Sequence, residues 1–220
     1  MKSVLVFDMD GVLAEVAGSY LAAISATVEH FTSKAVSNDL IAQYKKAGGW
    51  NSDWELSQKL IHDTAGIEVP YAEVVEVFQS HFLGPNNDGL ITRETWIPGA
   101  GLLESLAERH TLAIFTGRPR AEVDITLMRF VPEVSWASIV ADLDVPNAKP
   151  APDGLLAIAA THPGGTLTYV GDNVDDARSA RAAGVQFVGV TDGDASLGAI
   201  LKREGAGAVV ANVNELEGIV

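Results

Sequence analysis

The sequence predicts an α/β protein, a doubly wound parallel sheet with helices on both faces and a four-helix lobe inserted after the first strand. Three observations carry that expectation. The run Val4-Leu5-Val6-Phe7 is uniformly apolar, as in a strand covered on both faces, and it empties into two closely spaced acids, Asp8 and Asp10. Residues 16–92 read as helices only. From about residue 99 onward, apolar runs of strand length alternate with helical stretches, the pattern of strands joined by helical crossovers.

Taken in order, the first strand ends at Gly11, which lets the chain turn sharply so that both acids point into one crevice. In the lobe, a first helix carries Tyr20, Ile24, Val28 and Phe31 at helical spacing. A second runs from the cap candidate Ser37 toward Gly48, and a third opens with Ser52 and Glu55 at capping-box spacing and stops at Gly66. A fourth, with Pro70 near its start, places Val74, Val75, Phe78 and Phe82 on one stripe. Such stripes pack against one another as a small bundle. The return runs from Thr92 to Gly99, punctuated by Pro98 and Gly99. The expected domains are therefore a core of 1–15 with 93–220 and a helical cap of 16–92. The core continues with a helix over about 99–109, the strand Leu112-Ala113-Ile114-Phe115, a helix near 120–130 and a strand near Ser138 to Ala141. A helix over about 153–161, the strand Leu167-Thr168-Tyr169-Val170, a helix to Ala183, a strand from Val185 to Val190 and a weaker pair ending at Val209-Val210 complete it.

A chain of 220 residues suits one sizeable core with a smaller inserted lobe. With no cysteine, disulfides, thiol nucleophiles and zinc-thiolate sites are excluded, and any metal must sit on oxygen or imidazole. The five histidines lack metal-ligand spacing and read as structural. A formal charge of −14 argues against a nucleic-acid partner. No apolar stretch reaches transmembrane length and the N-terminus lacks a secretory pattern, so the expectation is a cytoplasmic protein without a membrane partner, monomeric or homodimeric. The same negative field means that a phosphate site must be made positive locally.

In a doubly wound sheet, residues just past the carboxyl ends of different strands converge. Here those residues are Asp8 and Asp10, Thr116-Gly117, and Gly171-Asp172 with Asp175 and Asp176, joined by Lys149-Pro150 from the loop before a helix. Close acids repel unless a cation lies between them, and Mg²⁺ is a hard cation that prefers oxygen ligands and leaves room for a phosphate. Acids, a hydroxyl and an ammonium meeting together make a metal-assisted phosphoryl-transfer site. Alone, an Asp-x-Asp after a strand is more often a turn or a helix cap, and a lysine before proline is usually solvated. Their joint occurrence at four strand or loop ends outweighs those readings.

The segments Asp8-Met9-Asp10-Gly11-Val12-Leu13, Phe115-Thr116-Gly117, Lys149-Pro150-Ala151-Pro152 and Gly171-Asp172-Asn173-Val174-Asp175-Asp176 resemble, in order and spacing, those of the haloacid dehalogenase superfamily phosphohydrolases. Within that superfamily the chain is similar to subfamily I with a small helical C1 cap, the phosphoglycolate phosphatase and β-phosphoglucomutase branch, over nearly its whole length. Ala148 departs from the glycine usual before the lysine. The resemblance implies that Asp8 is the nucleophile and forms an aspartyl phosphate, and that Asp10 is the general acid and then the base. It implies that Mg²⁺ is held by Asp8, Asp172 and the backbone carbonyl of Asp10, that Asp176 orders the solvent around the ion, and that Asp175 faces outward. Thr116, with Gly117 and nearby backbone N–H groups, would hold phosphate oxygens, and Lys149 would neutralise both Asp8 and the transferring group. Arg118, directly after, would reach the substrate, since guanidinium suits anion recognition.

The resemblance also assigns specificity to the loop Ala47-Gly48-Gly49-Trp50-Asn51-Ser52-Asp53-Trp54, in which Trp50 and Asn51 are read as substrate contacts and Trp54 as a packing anchor. The expected function is Mg²⁺-dependent hydrolysis of a small phosphorylated metabolite, with histidinol phosphate, phosphoglycolate and sugar phosphates as candidates. The alternative is a phosphosugar mutase. Asp10 argues against dehalogenase and phosphonatase chemistry, and the inserted helices argue against a non-enzymatic phosphate-accepting module.

Overall fold

The computed structural model describes residues 2–220, so the first residue of the expected core segment 1–15 lies outside it. The chain opens with β1 (Ser3–Phe7) and a two-residue strand β2 (Ala14–Glu15). Four helices follow, α1 (Tyr20–Thr32), α2 (Asn38–Ala47), α3 (Asp53–Ala65) and α4 (Tyr71–Phe82), and then β3 (Thr95–Trp96), which pairs with β2. The remainder alternates helix and strand: α5 (Leu102–Arg109), β4 (His110–Pro119), α6 (Arg120–Phe130), β5 (Ser138–Asp142) and α7 (Asp153–Thr161). It ends with β6 (Leu167–Gly171), α8 (Val174–Ala183), β7 (Gln186–Val190), α9 (Ala195–Glu204) and β8 (Ala208–Val210).

Six of these strands form one parallel sheet in the order β5-β4-β1-β6-β7-β8. The chain builds outward from β1 to β4 and β5, then crosses back to β6 and builds the other way. In open sheets of this kind, ligands bind outside the carboxyl ends of the strands at the point of reversal, here between β1 and β6. The pairing persists to the end of β1, where the Asp8 N–H donates to the Val170 carbonyl at 2.8 Å.

Strand alternation explains why β1 is apolar throughout. Leu5 and Phe7 lie in one buried cluster with Leu103 and Leu106 of α5 and Val123 of α6, while Val4 and Val6 lie in a second with Leu155 and Ile158 of α7 and Ala177 of α8. Burying each large apolar side chain stabilises the fold by about 1.5–3 kcal/mol relative to leaving it in water.

The chain divides into two compact units, one of Glu15–Thr95 and the other of residues up to Ala14 with Trp96–Val220. These bounds compare with the expected 16–92. The difference falls on β2 and β3, two residues each, too short to leave a periodic signature. Within the helical unit, the Tyr20 ring lies tilted against Phe82 and Phe78, with centroids 4.0 Å and 6.1 Å away, and Trp54 meets Phe78 edge-on at 6.5 Å. Ser37 and Ser52 cap α2 and α3 by accepting from the N–H groups of Leu40 and Glu55. Two elements of the other unit differ from expectation. The helix after the return starts at Leu102 rather than 99, behind Gly101 at φ +84°. The second sheet strand runs from His110 to Pro119 rather than 112–115, because pairing with β5 resumes at Pro119 after a register shift beyond Phe115.

Candidate active site

Asp8 stands at the tip of β1, buried, with Oδ1 3.0 Å from the Lys149 ammonium. Lys149, also buried, lies 2.8 Å from Asp176 Oδ1 on α8. Tyr169 of β6 places its hydroxyl 2.8 Å from the same Asp176 oxygen and 3.1 Å from the Phe115 carbonyl, two acceptors that share its one proton. The rings of Phe115 and Tyr169 flank the ammonium, with Nζ 4.9 Å and 5.4 Å from their centroids. Asp172 completes the group, since a carboxylate oxygen from each of Asp8, Asp172 and Asp176 lies within 4.8 Å of the others.

Local sequence dictates this convergence. Gly11 adopts φ +70°, and a Cβ there would fall 2.0 Å from Asp172 Oδ2, so only glycine lets the turn after β1 close against that carboxylate. Asp176 is held as the third helical residue of a capping box: Asn173 bonds the first turn of α8 while Asp176 Oδ2 accepts from the Asn173 N–H at 3.0 Å. The helix start therefore orients one oxygen and leaves the other facing Lys149.

Burial pushes the Asp8 carboxyl up to about 7; Lys149 opposes this, and the neighbouring Asp176 and Asp10 add to it. Burial works against the Lys149 charge as well, yet Asp176 and Asp8 outweigh it and hold the ammonium above its usual range. Burial, then Asp176, raises Tyr169 and keeps it neutral. One ammonium shared by two carboxylates does not neutralise three. A cation bound among Asp8, Asp172 and Asp176 would supply the missing charge. The donor set is oxygen alone, without histidine or cysteine, which fits a hard divalent ion such as Mg²⁺.

The remaining expected residues are placed as follows. Thr116 is buried on β4, just past the row in which Phe7 faces Ile114, and its Oγ1 accepts from the Arg118 N–H at 3.2 Å. Gly117 lies beside it, in the stretch where the β4 register shifts. The Asp10 side chain is turned to Arg118, whose Nε donates to Asp10 Oδ1 at 2.6 Å.

Two expectations are corrected. Arg118 is 2 % exposed, with its guanidinium engaged by Asp10 and Thr126 rather than presented to a substrate. Asp175 does not face outward but is wholly buried, with Arg178 one turn along α8 at 3.7 Å. Trp50 and Asn51 belong to the helical unit, in the loop between α2 and α3, where Trp50 meets Tyr44 edge-on at 6.0 Å. Tyr169 was not among the expected site residues. Its signal is a polar-tipped aromatic in the otherwise small and aliphatic strand Leu167-Thr168-Tyr169-Val170, two positions before Gly171-Asp172.

A family model for haloacid dehalogenase-like hydrolases matches residues 5–190. The chain belongs to that family. Solved structures similar to this hydrolase include a hydrolase from Pseudomonas syringae, 23% identical with a TM-score of 0.76, covering 100% of this chain and 97% of that one. A predicted phosphoglycolate phosphatase from Haemophilus somnus is 19% identical with a TM-score of 0.79, covering 99% and 97% of the two chains. A candidate beta-phosphoglucomutase from Thermotoga maritima is 21% identical with a TM-score of 0.70, covering 99% and 100%. At these identities the likeness shows the fold. Among curated proteins, the imidazoleglycerol-phosphate dehydratase of Phytophthora nicotianae is 33% identical over 229 residues, which take in 94% of this chain. This chain spans about half (49%) of that relative's length. Among the described residues, no helix of this haloacid dehalogenase-like hydrolase is long and apolar enough to cross a membrane.

Proposed function

We propose that this hydrolase is a Mg²⁺-dependent phosphomonoester phosphatase that works through an aspartyl phosphate on Asp8. The observation that supports it is the gathering of Asp8, Asp172 and Asp176 carboxylate oxygens, two of these acids, Asp8 and Asp176, sharing the buried ammonium of Lys149. Asp8 and Asp172, with the backbone carbonyl of Asp10, are the groups that would hold the ion, and Asp176 beside them would order the solvent around it. Bound there, Mg²⁺ would supply positive charge to offset the carboxylates and the phosphoryl oxygens.

In the first step an Asp8 oxygen attacks phosphorus, the bond to the ester oxygen breaks, and Asp10 gives its proton to the departing alkoxide. In the second, water attacks the same phosphorus, Asp10 takes its proton, and phosphate leaves with Asp8 restored. Lys149 stays charged throughout and, with the Thr116 hydroxyl and nearby N–H groups, stabilises the transferring oxygens.

The substrate class we favour is a phosphomonoester bearing an imidazole or amine, such as histidinol phosphate, ahead of phosphoglycolate and sugar phosphates. Two features support it: similarity to a protein named for imidazoleglycerol phosphate, and a net charge of −14 that favours a substrate carrying a positive group. We read the enzyme as cytoplasmic, monomeric or homodimeric, with Trp50 and Asn51 contributing to selectivity.

A panel of these esters, assayed with Mg²⁺, tests the reading. Stoichiometric inorganic phosphate is expected, lost on chelation and reduced roughly 10³-fold or more in Asp8→Asn. A Trp50→Ala variant should alter the ranking of esters. An isomerised sugar phosphate in place of free phosphate would make the chain a mutase, and an inert wild type would end the enzymatic reading.

A further inference from the structure

The arginine after the Thr116-Gly117 pair has been turned inward. Arg118 is among the largest fully buried side chains of the molecule, and a guanidinium costs several kcal/mol to bury unless its partners are well placed. Its partners are specific. Nε donates to Asp10 Oδ1 at 2.6 Å, Nη2 stands 2.5 Å from the same oxygen, and Nη1 donates to the buried Thr126 hydroxyl at 2.9 Å. Thr126 lies on α6, eight residues on from Arg118, so the fork is anchored to a helix at one end and grips one carboxylate oxygen at the other. Asp10 Oδ2 makes no hydrogen bond or ion pair among the described residues, and the Asp10 side chain is 30 % exposed against 1 % for Arg118.

We propose that Arg118 is a positioning residue for proton transfer: it fixes Asp10 through Oδ1, keeps that side chain away from the metal-binding carboxylates, and leaves Oδ2 free to exchange a proton with the ester oxygen and with water. This rests on the phosphatase reading above. A carboxylate left loose beside Asp8, Asp172 and Asp176 would compete for the cation, and one held through both oxygens would have none left for the proton. The fork held at a single oxygen avoids both. A lysine would carry the charge but not the geometry, because an ammonium on a flexible stem cannot bond Asp10 and Thr126 from one rigid plane.

The test compares Arg118→Lys and Thr126→Val with wild type on two esters, an alkyl phosphomonoester that the wild type turns over and p-nitrophenyl phosphate. An alkoxide needs a proton to leave and nitrophenolate does not. On the alkyl ester, kcat should fall on the order of 10²-fold in Arg118→Lys and by less in Thr126→Val, with KM within about twofold of wild type. On p-nitrophenyl phosphate, the variants should keep a full pre-steady-state burst of nitrophenolate while later turnover slows, because only the second step still needs the base. Mg²⁺ titration, followed by thermal shift without substrate, should show binding as tight as wild type or tighter.

Equal losses on both esters with a shrunken burst would reduce Arg118 to a structural role and overturn the proposal. A raised KM with unchanged kcat would instead make it a substrate contact. Thr126→Val removes one hydroxyl and keeps the charge pair, so it reads the effect even where Arg118→Lys fails to fold. An inert wild type would defeat the phosphatase reading, whereas an active wild type with variants insensitive to the leaving group would defeat only this inference.

Discussion

Lys149 faces two acids with one charge, and the site is arranged around that inequality. Its ammonium touches Asp8 and Asp176 at 3.0 Å and 2.8 Å, and aromatic faces of Phe115 and Tyr169 close the other sides. Cation–π contact compensates part of the lost hydration. Tyr169 fixes the partner, since its hydroxyl bonds Asp176 Oδ1, so the carboxylate is held before any ligand arrives. Tyr169→Phe should therefore cost about 1–2 kcal/mol in urea unfolding, the range for a buried hydrogen bond lost on one side. It should also weaken Mg²⁺ binding, read by thermal shift with added metal. Unchanged metal affinity would place Tyr169 in the core alone. The acids and the lysine were legible because strand-end residues converge by topology. The burial of Arg118 and Asp175 was not, because sequence shows which residues follow a strand but not which way an irregular turn aims them.

A strand end, a turn and a helix start share the work of placing the carboxylates. The turn after β1 passes so close to Asp172 that Gly11 leaves no room for a methyl group, and its φ of +70° disfavours any other residue. Gly11→Ala should leave the strand and its two-faced core intact while displacing Asp172, so it should lose Mg²⁺-induced stabilisation far more than urea resistance. Loss of both in equal measure would mean that the turn serves folding rather than the site. Helix and strand identities were readable wherever the apolar period was long: α6 and α7 run over Arg120–Phe130 and Asp153–Thr161, as their spacing predicts. The β2–β3 pair and the extension of β4 through Thr116-Gly117-Arg118 were not readable. Backbone pairing makes them, and two-residue strands or a shifted register leave no pattern in side-chain polarity.

Across the molecule, position in the sheet decides function more than composition does. The order β5-β4-β1-β6-β7-β8 puts β1 and β6 side by side where the winding reverses, and the nucleophile candidate and the Asp172–Asp176 stretch follow those two strands. The long-range field is negative, with a formal charge of −14, so the phosphate group of an ester gains nothing from it and would rely on positive charge supplied locally, as by Lys149. This is why the family's four segments could be read from sequence while the substrate could not: the segments sit at strand ends that topology brings together, whereas substrate choice depends on side chains with no fixed spacing. The most direct test of the whole account is to quench the enzyme with acid during turnover with Mg²⁺ and locate any covalent phosphoryl group by peptide mass spectrometry. The account predicts one phosphoryl group on the peptide carrying Asp8, absent without Mg²⁺ and absent in Asp8→Asn. A phosphoryl group on another residue, or turnover with none on Asp8, would contradict it.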